Sequence, residues 1–207
     1  MSKKSGSSKR WLMDHARDRY VQAAKTKGMR SRAGFKLLQI QEKYGLMQNG
    51  HVIVDLGAAP GGFSQIARKE VGCAGRVIAV DLREMTPLSG VEIIKGDFGE
   101  NSTLDSLIKL MDGQLIDLVI SDMAPNFTGV RDIDQATSIY LVELVLESVA
   151  KILRPGGSLI VKCFEGSGIN EIRSRVQGQF RKSFNFKPNA SNSRSREVYL
   201  IGRNFFG

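Results

Sequence analysis

The sequence predicts an α/β protein in which helices cover both faces of a mostly parallel sheet. Five short apolar runs, typical of buried parallel strands, alternate with helical patterns and are joined by short connections. Parallel neighbours in one sheet need right-handed crossovers, so the helices must lie on both faces. A chain of 207 residues with 42% apolar residues is also long enough for one well-buried core.

The first predicted elements are helical and lie in a basic part of the chain. Residues 1–10 have the composition of a disordered tail, and residues 14–27 are suited to a basic helix. Ser31 is predicted as the N-cap of an amphipathic helix that ends near Gly45.

The remaining elements alternate between strands and helices. The apolar runs predict strands at 51–56, 76–82, 91–97, 115–122 and 158–164, with helices at 61–71, 101–112, 135–153 and 168–180. The third of these helices ends where Arg154-Pro155-Gly156-Gly157 follows, because proline and glycine do not continue a helix. Two further strand candidates, at 183–188 and 196–202, bring the predicted sheet to seven strands.

The net charge of +9 is concentrated at the start of the chain. Residues 1–36 contain eleven Lys and Arg against two Asp, which accounts for all of the excess. A second, smaller basic segment covers residues 173–203, where Glu197 is the single acidic residue. Two basic segments flanking a nearly neutral core favour a nucleic-acid partner over two merely solvated faces.

Composition also excludes several classes of protein. No run reaches the roughly 18 apolar residues that a membrane-spanning helix needs, and the start of the chain lacks the apolar middle of a signal peptide. We therefore expect a cytoplasmic protein that does not enter a membrane. The two cysteines, Cys73 and Cys163, have no His/Cys cluster around them, so no disulfide framework and no metal site are predicted. Both are expected to be buried thiols.

Ionisable residues stand at the carboxyl ends of all five apolar strands. They are Asp55, Asp81, Asp97, Asp122 and Lys162. In an open parallel sheet, ligands bind outside the carboxyl ends of the strands. Four carboxylates beside the core are costly unless a ligand or a partner group satisfies them. The functional site is therefore predicted at this edge of the sheet.

A glycine-rich turn, DLGAAPGGFS at residues 55–64, joins the first strand to the next helix. Glycines there let the backbone come close to a ligand. The turn departs from the dinucleotide pattern G-x-G-x-x-G, and no phosphate-binding GK[ST] is present. Asp81 stands where a carboxylate accepts hydrogen bonds from ribose hydroxyls. The acidic surroundings suit a cation, so S-adenosylmethionine is the predicted cofactor.

Several motifs together carry a resemblance to a known family. They are SRAGFKL (31–37), VDLGAAPGGFSQ (54–65), SDMAPN (121–126), LRPGG (153–157), VKCFEG (161–166) and SRE (195–197), with the acidic strand ends at Asp81 and Asp97. From about residue 17 to 203 the sequence resembles the FtsJ/RrmJ family of ribosomal RNA 2′-O-ribose methyltransferases. Joint occurrence makes the resemblance much more specific than any one motif.

The resemblance implies a Rossmann-like, class I S-adenosylmethionine-dependent methyltransferase fold with a Lys-Asp-Lys-Glu tetrad. Carried over by motif, the tetrad is Lys36, Asp122, Lys162 and Glu197. The expected cofactor-binding residues are Asp55, Gly57, Pro60, Gly61, Gly62, Phe63, Asp81, Asp97, Phe98 and Asp122. Phe63 stands where some relatives carry tryptophan, and either ring could pack on the cofactor.

The resemblance also implies a partner, and the basic segments predict where on the chain that partner binds. The expected substrate is a uridine in the A loop of 23S rRNA, presented within the large ribosomal subunit, and the expected state is a monomer. Residues 1–30 are expected to bind RNA, and residues 31–207 to form a single methyltransferase domain. The cations expected to contact RNA are Lys9, Arg10, Arg17, Arg19, Lys25, Lys27, Arg30, Arg32, Arg194 and Arg196.

Two questions about the chemistry stay open at this point. Lys162 is either the general base that takes the proton from the ribose 2′-hydroxyl or an ammonium that orients the hydroxyl. Base methylation is a less favoured alternative, because Asp122-Met123-Ala124-Pro125-Asn126 lacks the paired prolines and aromatic residue that grip a planar target. Methylation at C5 of cytosine would need a nucleophilic cysteine. Cys163 should face away from Lys162, since side chains alternate along a strand, and is therefore expected to pack in the core. A non-catalytic ribosome-assembly factor would explain the basic segments, though not the acidic strand ends.

Overall fold

A computed structural model describes residues 18–207, which contain one seven-stranded sheet. The strands are β1 (Val52–Leu56), β2 (Arg76–Asp81), β3 (Val91–Lys95), β4 (Ile116–Ser121), β5 (Leu153–Phe164), β6 (Phe180–Phe186) and β7 (Glu197–Phe205). Their order in the sheet is β3-β2-β1-β4-β5-β7-β6. β7 runs antiparallel to both of its neighbours, and the other pairs are parallel. The predicted fold class is confirmed.

Helices cover both faces of the sheet. They are α1 (Arg19–Thr26), α2 (Gly34–Tyr44), α3 (Gly62–Val71), α4 (Asn101–Met111), α5 (Arg131–Ile152) and α6 (Ile169–Gln179). Helices α4, α5 and α6 share one apolar cluster with alternate strand residues, and α2 and α3 share another with the residues between them. This division follows from the period of two in a strand, which sends neighbouring side chains to opposite faces.

The same alternation confirms the prediction for Cys163. Its side chain is buried in the cluster formed with α4, α5 and α6. Ile160, two residues before Lys162, and Tyr199, which pairs with Lys162, belong to the cluster on the other face, where Lys162 must also point. The prediction for Cys73 was wrong: it lies in the turn after α3 and is exposed.

Most predicted elements are present, with shifted ends. The long helix begins at Arg131, four residues earlier than predicted, and ends at Ile152. β5 begins directly afterwards at Leu153, so Arg154-Pro155-Gly156-Gly157 lies inside the strand. The pairing of β4 with β5 shifts register between Ile116 and Leu118, which absorbs this irregular stretch.

The prediction that Ser31 caps α2 was wrong. The helix begins at Gly34, its N-cap is Ala33, and no side chain caps it. The carbonyls of Ser31 and Arg32 accept the amide protons of Gly34 and Phe35, so these residues form a turn before the helix. The Ser31 hydroxyl is buried without a hydrogen-bond partner among the described residues, and a Cβ added to Gly62 would lie 2.1 Å from it.

Two kinds of feature are absent from residues 18–207. No helix in this range is both long and apolar enough to span a membrane. Nor do His, Cys, Asp and Glu side chains of these residues form a group of three or more that could hold a metal ion.

Candidate active site

Four different segments of the chain bring the predicted tetrad together as two largely buried ion pairs. Lys162, near the end of β5, lies 3.0 Å from Oδ1 of Asp122, which directly follows β4. Lys36 of α2 lies 2.7 Å from Oε1 of Glu197, the first residue of β7. The four side chains are only 7–18% exposed. Buried charges of this kind persist only when they are paired and hydrogen-bonded.

Tyr199 joins the first pair and was missed by sequence reasoning. In the pairing of β5 with β7 it lies directly opposite Lys162, and its hydroxyl donates to Asp122 Oδ1 at 2.7 Å. Burial, reinforced by the charge of Asp122, raises the pKa of Tyr199 well above its ordinary value. The hydroxyl therefore stays protonated and keeps donating to Asp122. The sequence signal that could have found Tyr199 is its position two residues after Glu197, because residues two apart lie on the same face of a strand.

The ion pair of Lys36 and Glu197 is held by further contacts. The Ser191 hydroxyl donates to Glu197 Oε1 at 2.6 Å, and Lys36 Nζ lies 5.8 Å from the centre of the Tyr199 ring. Tyr199 therefore contacts both ion pairs. Arg32, predicted to contact RNA, lies nearby. Its guanidinium pairs with Asp18 and donates to the Ala190 carbonyl.

The turn after β1 lies against the loop after β4. Gly57 has φ +75°, and a Cβ there would come within 2.9 Å of the Met123 backbone nitrogen. A larger residue would be strained by its backbone angle and would collide with Met123. Gly57 therefore allows the glycine-rich turn to approach Asp122 closely.

Asp55, at the base of this turn, is completely buried. The Ser64 hydroxyl donates to its Oδ2 at 2.6 Å, whereas Oδ1 has no hydrogen-bond partner among the described residues. Burial raises the pKa of Asp55 to about 7, with the Ser64 hydrogen bond opposing the shift and Asp122 adding to it. Asp55 can therefore change its protonation state near neutral pH.

Asp81 organises the same turn from the end of β2. It accepts the Ala59 amide proton at 2.8 Å through Oδ2 and the Arg83 amide proton at 2.7 Å through Oδ1. Asp97 is exposed and accepts the Gly99 amide proton, while the adjacent Phe98 is buried. Both follow β3, so they lie at the same edge of the sheet.

Phe63 lies in the core beneath the turn. It is 3% exposed, belongs to the apolar cluster with α2, and its ring centre is 6.3 Å from that of Tyr199. Its predicted contact with the cofactor stays a prediction.

Arg30 is attached to the glycine-rich turn. Its guanidinium donates to the carbonyls of Pro60, Thr86 and Pro87 at 3.3, 2.6 and 2.5 Å. Its amide donates to the Gln65 side chain, which in turn donates to the Gly28 carbonyl. Sequence reasoning assigned Arg30 to RNA, but these contacts give it a second role in supporting the turn.

Replacing Arg30 with alanine should weaken S-adenosylmethionine binding by about 5-fold, because three partly exposed hydrogen bonds to the turn and its neighbouring loop are lost. Calorimetric titration of the cofactor measures this effect. Lys25→Ala, which removes an exposed cation of α1, serves as the matched control. Unchanged cofactor affinity in Arg30→Ala, with RNA affinity reduced as in the control, would leave RNA contact as its only role.

The other predicted RNA contacts fall into two groups within the described residues and a third outside them. Arg19, Lys25 and Lys27 are exposed on or next to α1, and Arg194 and Arg196 are exposed before β7. Lys9, Arg10, Arg17, the tail at 1–10 and the first part of the predicted helix at 14–27 lie outside the described residues. No observation decides between RNA contact and solvation for these cations, so the assignment stays a prediction.

The strand order, the antiparallel β7 and the acidic edge beside a glycine-rich turn define an S-adenosylmethionine-dependent methyltransferase of the Rossmann-like class. Residues 29–205 match the model of the FtsJ-like methyltransferase family. The chain belongs to this family, as the sequence motifs predicted.

Individual relatives agree with this assignment. The chain is 48% identical to the Ribosomal RNA large subunit methyltransferase E of Alkalilimnicola ehrlichii, over 98% of this chain and 97% of the relative. It is 49% identical to the protein of the same name from Methylobacillus flagellatus, over 97% of each chain. Among solved structures, a protein described as a ribosomal RNA methyltransferase from Plasmodium falciparum superposes with a TM-score of 0.77 at 29% identity. That match covers 86% of this chain and 99% of the other.

Proposed function

We propose that the protein transfers a methyl group from S-adenosylmethionine to the ribose 2′-oxygen of a uridine in large-subunit rRNA. The observation that carries the proposal is the pair of buried lysine–carboxylate contacts joined by Tyr199 beside the glycine-rich turn. The names of the relatives support large-subunit rRNA as the substrate. The target base and the preference for assembled subunits follow from the family resemblance.

The residues at the carboxyl edge suit S-adenosylmethionine. This cofactor carries a sulfonium and an ammonium group, and when bound it supplies a methyl group on positively charged sulfur. Asp122 provides negative charge beside the turn. Asp55, whose buried Oδ1 lacks a partner among the described residues and whose pKa is raised to about 7, offers a hydrogen-bond acceptor that ionises near neutral pH. We propose that the backbone of the glycine-rich turn comes close to the cofactor at Gly57, Pro60, Gly61 and Gly62, and that Phe63 packs beneath the cofactor. Asp81 is proposed to accept hydrogen bonds from the ribose hydroxyls of the cofactor. Asp97 and Phe98 are proposed to hold its adenine.

Lys162 is the proposed general base. A neutral amine has two N–H groups and one lone pair. The two contacts that Lys162 makes, to the Asp122 carboxylate at 3.0 Å and to the Asp122 carbonyl at 2.5 Å, would use both N–H groups. The lone pair is then directed away from Asp122 and can accept the proton of the ribose hydroxyl. An ammonium in the same place would have one N–H left to orient that hydroxyl, which is the second candidate role.

Lys36 and Glu197 are proposed to position the substrate. Their pair lies beside the Tyr199 ring, and the Ser191 hydroxyl fixes Glu197. A lysine held this way can donate to the ribose or its phosphate without moving. The RNA is proposed to extend across residues 1–30 and the exposed Arg194 and Arg196, held mainly through phosphates. A monomer acting in the cytoplasm completes the proposal.

The deciding experiment is transfer of labelled methyl groups to large ribosomal subunits and to protein-free rRNA from cells that lack this gene. Digestion to nucleosides should give the label in 2′-O-methyluridine, with subunits preferred over free rRNA. Label on a base would contradict the ribose assignment. Tight RNA binding with no label would favour the assembly factor.

A further inference from the structure

An exposed aromatic side chain and a half-buried one meet at the carboxyl edge of the sheet. Phe127, in the loop between β4 and α5, is 61% exposed, and its ring meets Phe164 of β5 edge to face at 5.5 Å between centres. We call this pair the aromatic lip. A phenylalanine ring exposed to this extent has most of its apolar surface open to contact with a partner.

Strand pairing places the aromatic lip next to the tetrad. Phe164 lies directly opposite Glu197 in the pairing of β5 with β7, just as Lys162 lies opposite Tyr199. Paired residues and residues two apart share one face of a sheet. Phe164 is therefore a direct neighbour, on the same face, of the residues that hold the proposed reaction centre.

Hydrogen bonds tie the segments beside the two rings to the start of α5. The Asp134 carboxylate accepts the Thr128 amide at 2.7 Å, the Thr128 hydroxyl at 2.8 Å and the Gly129 amide at 3.1 Å. The Gln135 side chain donates to the Phe164 carbonyl at 3.2 Å and to the Ser167 carbonyl at 3.0 Å. The loop that carries Phe127 and the end of β5 that carries Phe164 are thus both tied to the start of α5.

Cations lie beside the aromatic lip. Arg196 is exposed and donates to the carbonyl of Glu165, the residue after Phe164. Arg194 is exposed nearby in the chain. An exposed ring with cations on the neighbouring segment can bind a nucleotide, whose base stacks on the ring while its phosphates contact the cations.

We propose that the aromatic lip is the stacking site for the base of the target nucleotide, unstacked from the RNA while its ribose lies at Lys162. The inference rests on the proposed function. It adds base stacking to the phosphate contacts proposed for the basic segments.

The test replaces Phe127 and measures kcat/KM for methylation of large ribosomal subunits. Phe127→Ala should lower kcat/KM by about 10-fold or more, which corresponds to one lost base stack. Phe127→Tyr should retain most of the activity, and Phe127→Leu should not. The matched control is Ile133→Ala, which removes a similarly exposed apolar side chain from α5 and should match the wild type. Since Phe127 is exposed, the thermal midpoints of all four variants should agree.

Each other outcome has a definite meaning. Full activity of Phe127→Ala, or of Phe127→Leu, would overturn the proposal, because stacking needs an aromatic face. An equal loss in Ile133→Ala would also overturn it and would instead indicate a protein docking on this side of α5. Lack of ribose methylation by the wild type would contradict the proposed function, and the aromatic lip is then tested by binding alone. An RNA hairpin that carries 2-aminopurine in its loop is the probe. Binding of the wild type should quench the 2-aminopurine fluorescence, and binding of Phe127→Ala should not. Equal quenching by both proteins would overturn the proposal.

Discussion

Lys162→Ala should lower the rate of methyl transfer by about 100- to 10,000-fold, the usual contribution of a positioned proton acceptor. S-adenosylmethionine binding should survive, because Tyr199 still donates to Asp122 and holds it in place. Single-turnover transfer to large subunits measures the first effect, and calorimetric titration of the cofactor measures the second.

Two further variants separate the possible roles of Lys162. Lys162→Arg keeps the positive charge but cannot accept a proton at neutral pH, so it should be as inactive as the alanine variant if Lys162 is the base. Under the orienting role, the arginine variant should keep measurable activity. Lys95→Ala, which removes an exposed lysine from the end of β3, controls for a general loss of charge. A loss of cofactor binding equal to the loss of transfer would make Lys162 a structural residue.

Asp55→Asn should remove a pH dependence of stability that the wild type shows between about pH 4 and pH 7. The pKa of Asp55 is raised from 3.8 to about 7 in the folded protein by complete burial. Between these values the unfolded chain releases a proton that the folded chain keeps, so the stability present below pH 4 is lost as pH rises to 7. The shift corresponds to an upper limit of about 4 kcal/mol in the free energy of unfolding.

Thermal unfolding of wild type and Asp55→Asn at pH 4, 5.5, 7 and 8 measures this dependence. From pH 4 to pH 8 the thermal midpoint of Asp55→Asn should rise by roughly 10 °C relative to that of the wild type. Ser64→Ala removes the hydrogen bond that lowers the pKa, so its loss of stability should continue to higher pH. Asp105→Asn, at an exposed position of α4, should run parallel to the wild type. Parallel curves for Asp55→Asn would show that the buried carboxyl stays ionised.

Local sequence patterns predicted the architecture because a strand that is buried on both faces of the sheet consists almost entirely of apolar residues. The continuous apolar runs of β1 to β5 located the strands, and the polar residue ending each run located the site. Alternation placed Lys162 and Cys163 on opposite faces. Shifts occurred where tertiary contacts outweighed local preference, as at Ser31, whose hydroxyl is buried against Gly62 and does not cap α2.

Features that depend on distant pairing could not be predicted in the same way. The role of Tyr199 requires the register of β7 against β5, which brings it opposite Lys162. The three carbonyls bound by Arg30 come from two separate loops. Phe127 lies in a loop where no periodic pattern marks it, and its importance rests on the Phe164 contact and on its exposure.

The antiparallel direction of β7 has a consequence for how the enzyme matures. Because β7 runs against its neighbours, its first residue reaches the edge at which the parallel strands end, and Glu197 and Tyr199 enter the site from there. β7 is also the last strand in the described chain, yet it lies between β5 and β6. A growing chain on the ribosome therefore cannot complete its reaction centre until residues up to about 205 have emerged and inserted. The reaction centre therefore forms only after this last described strand has itself been translated.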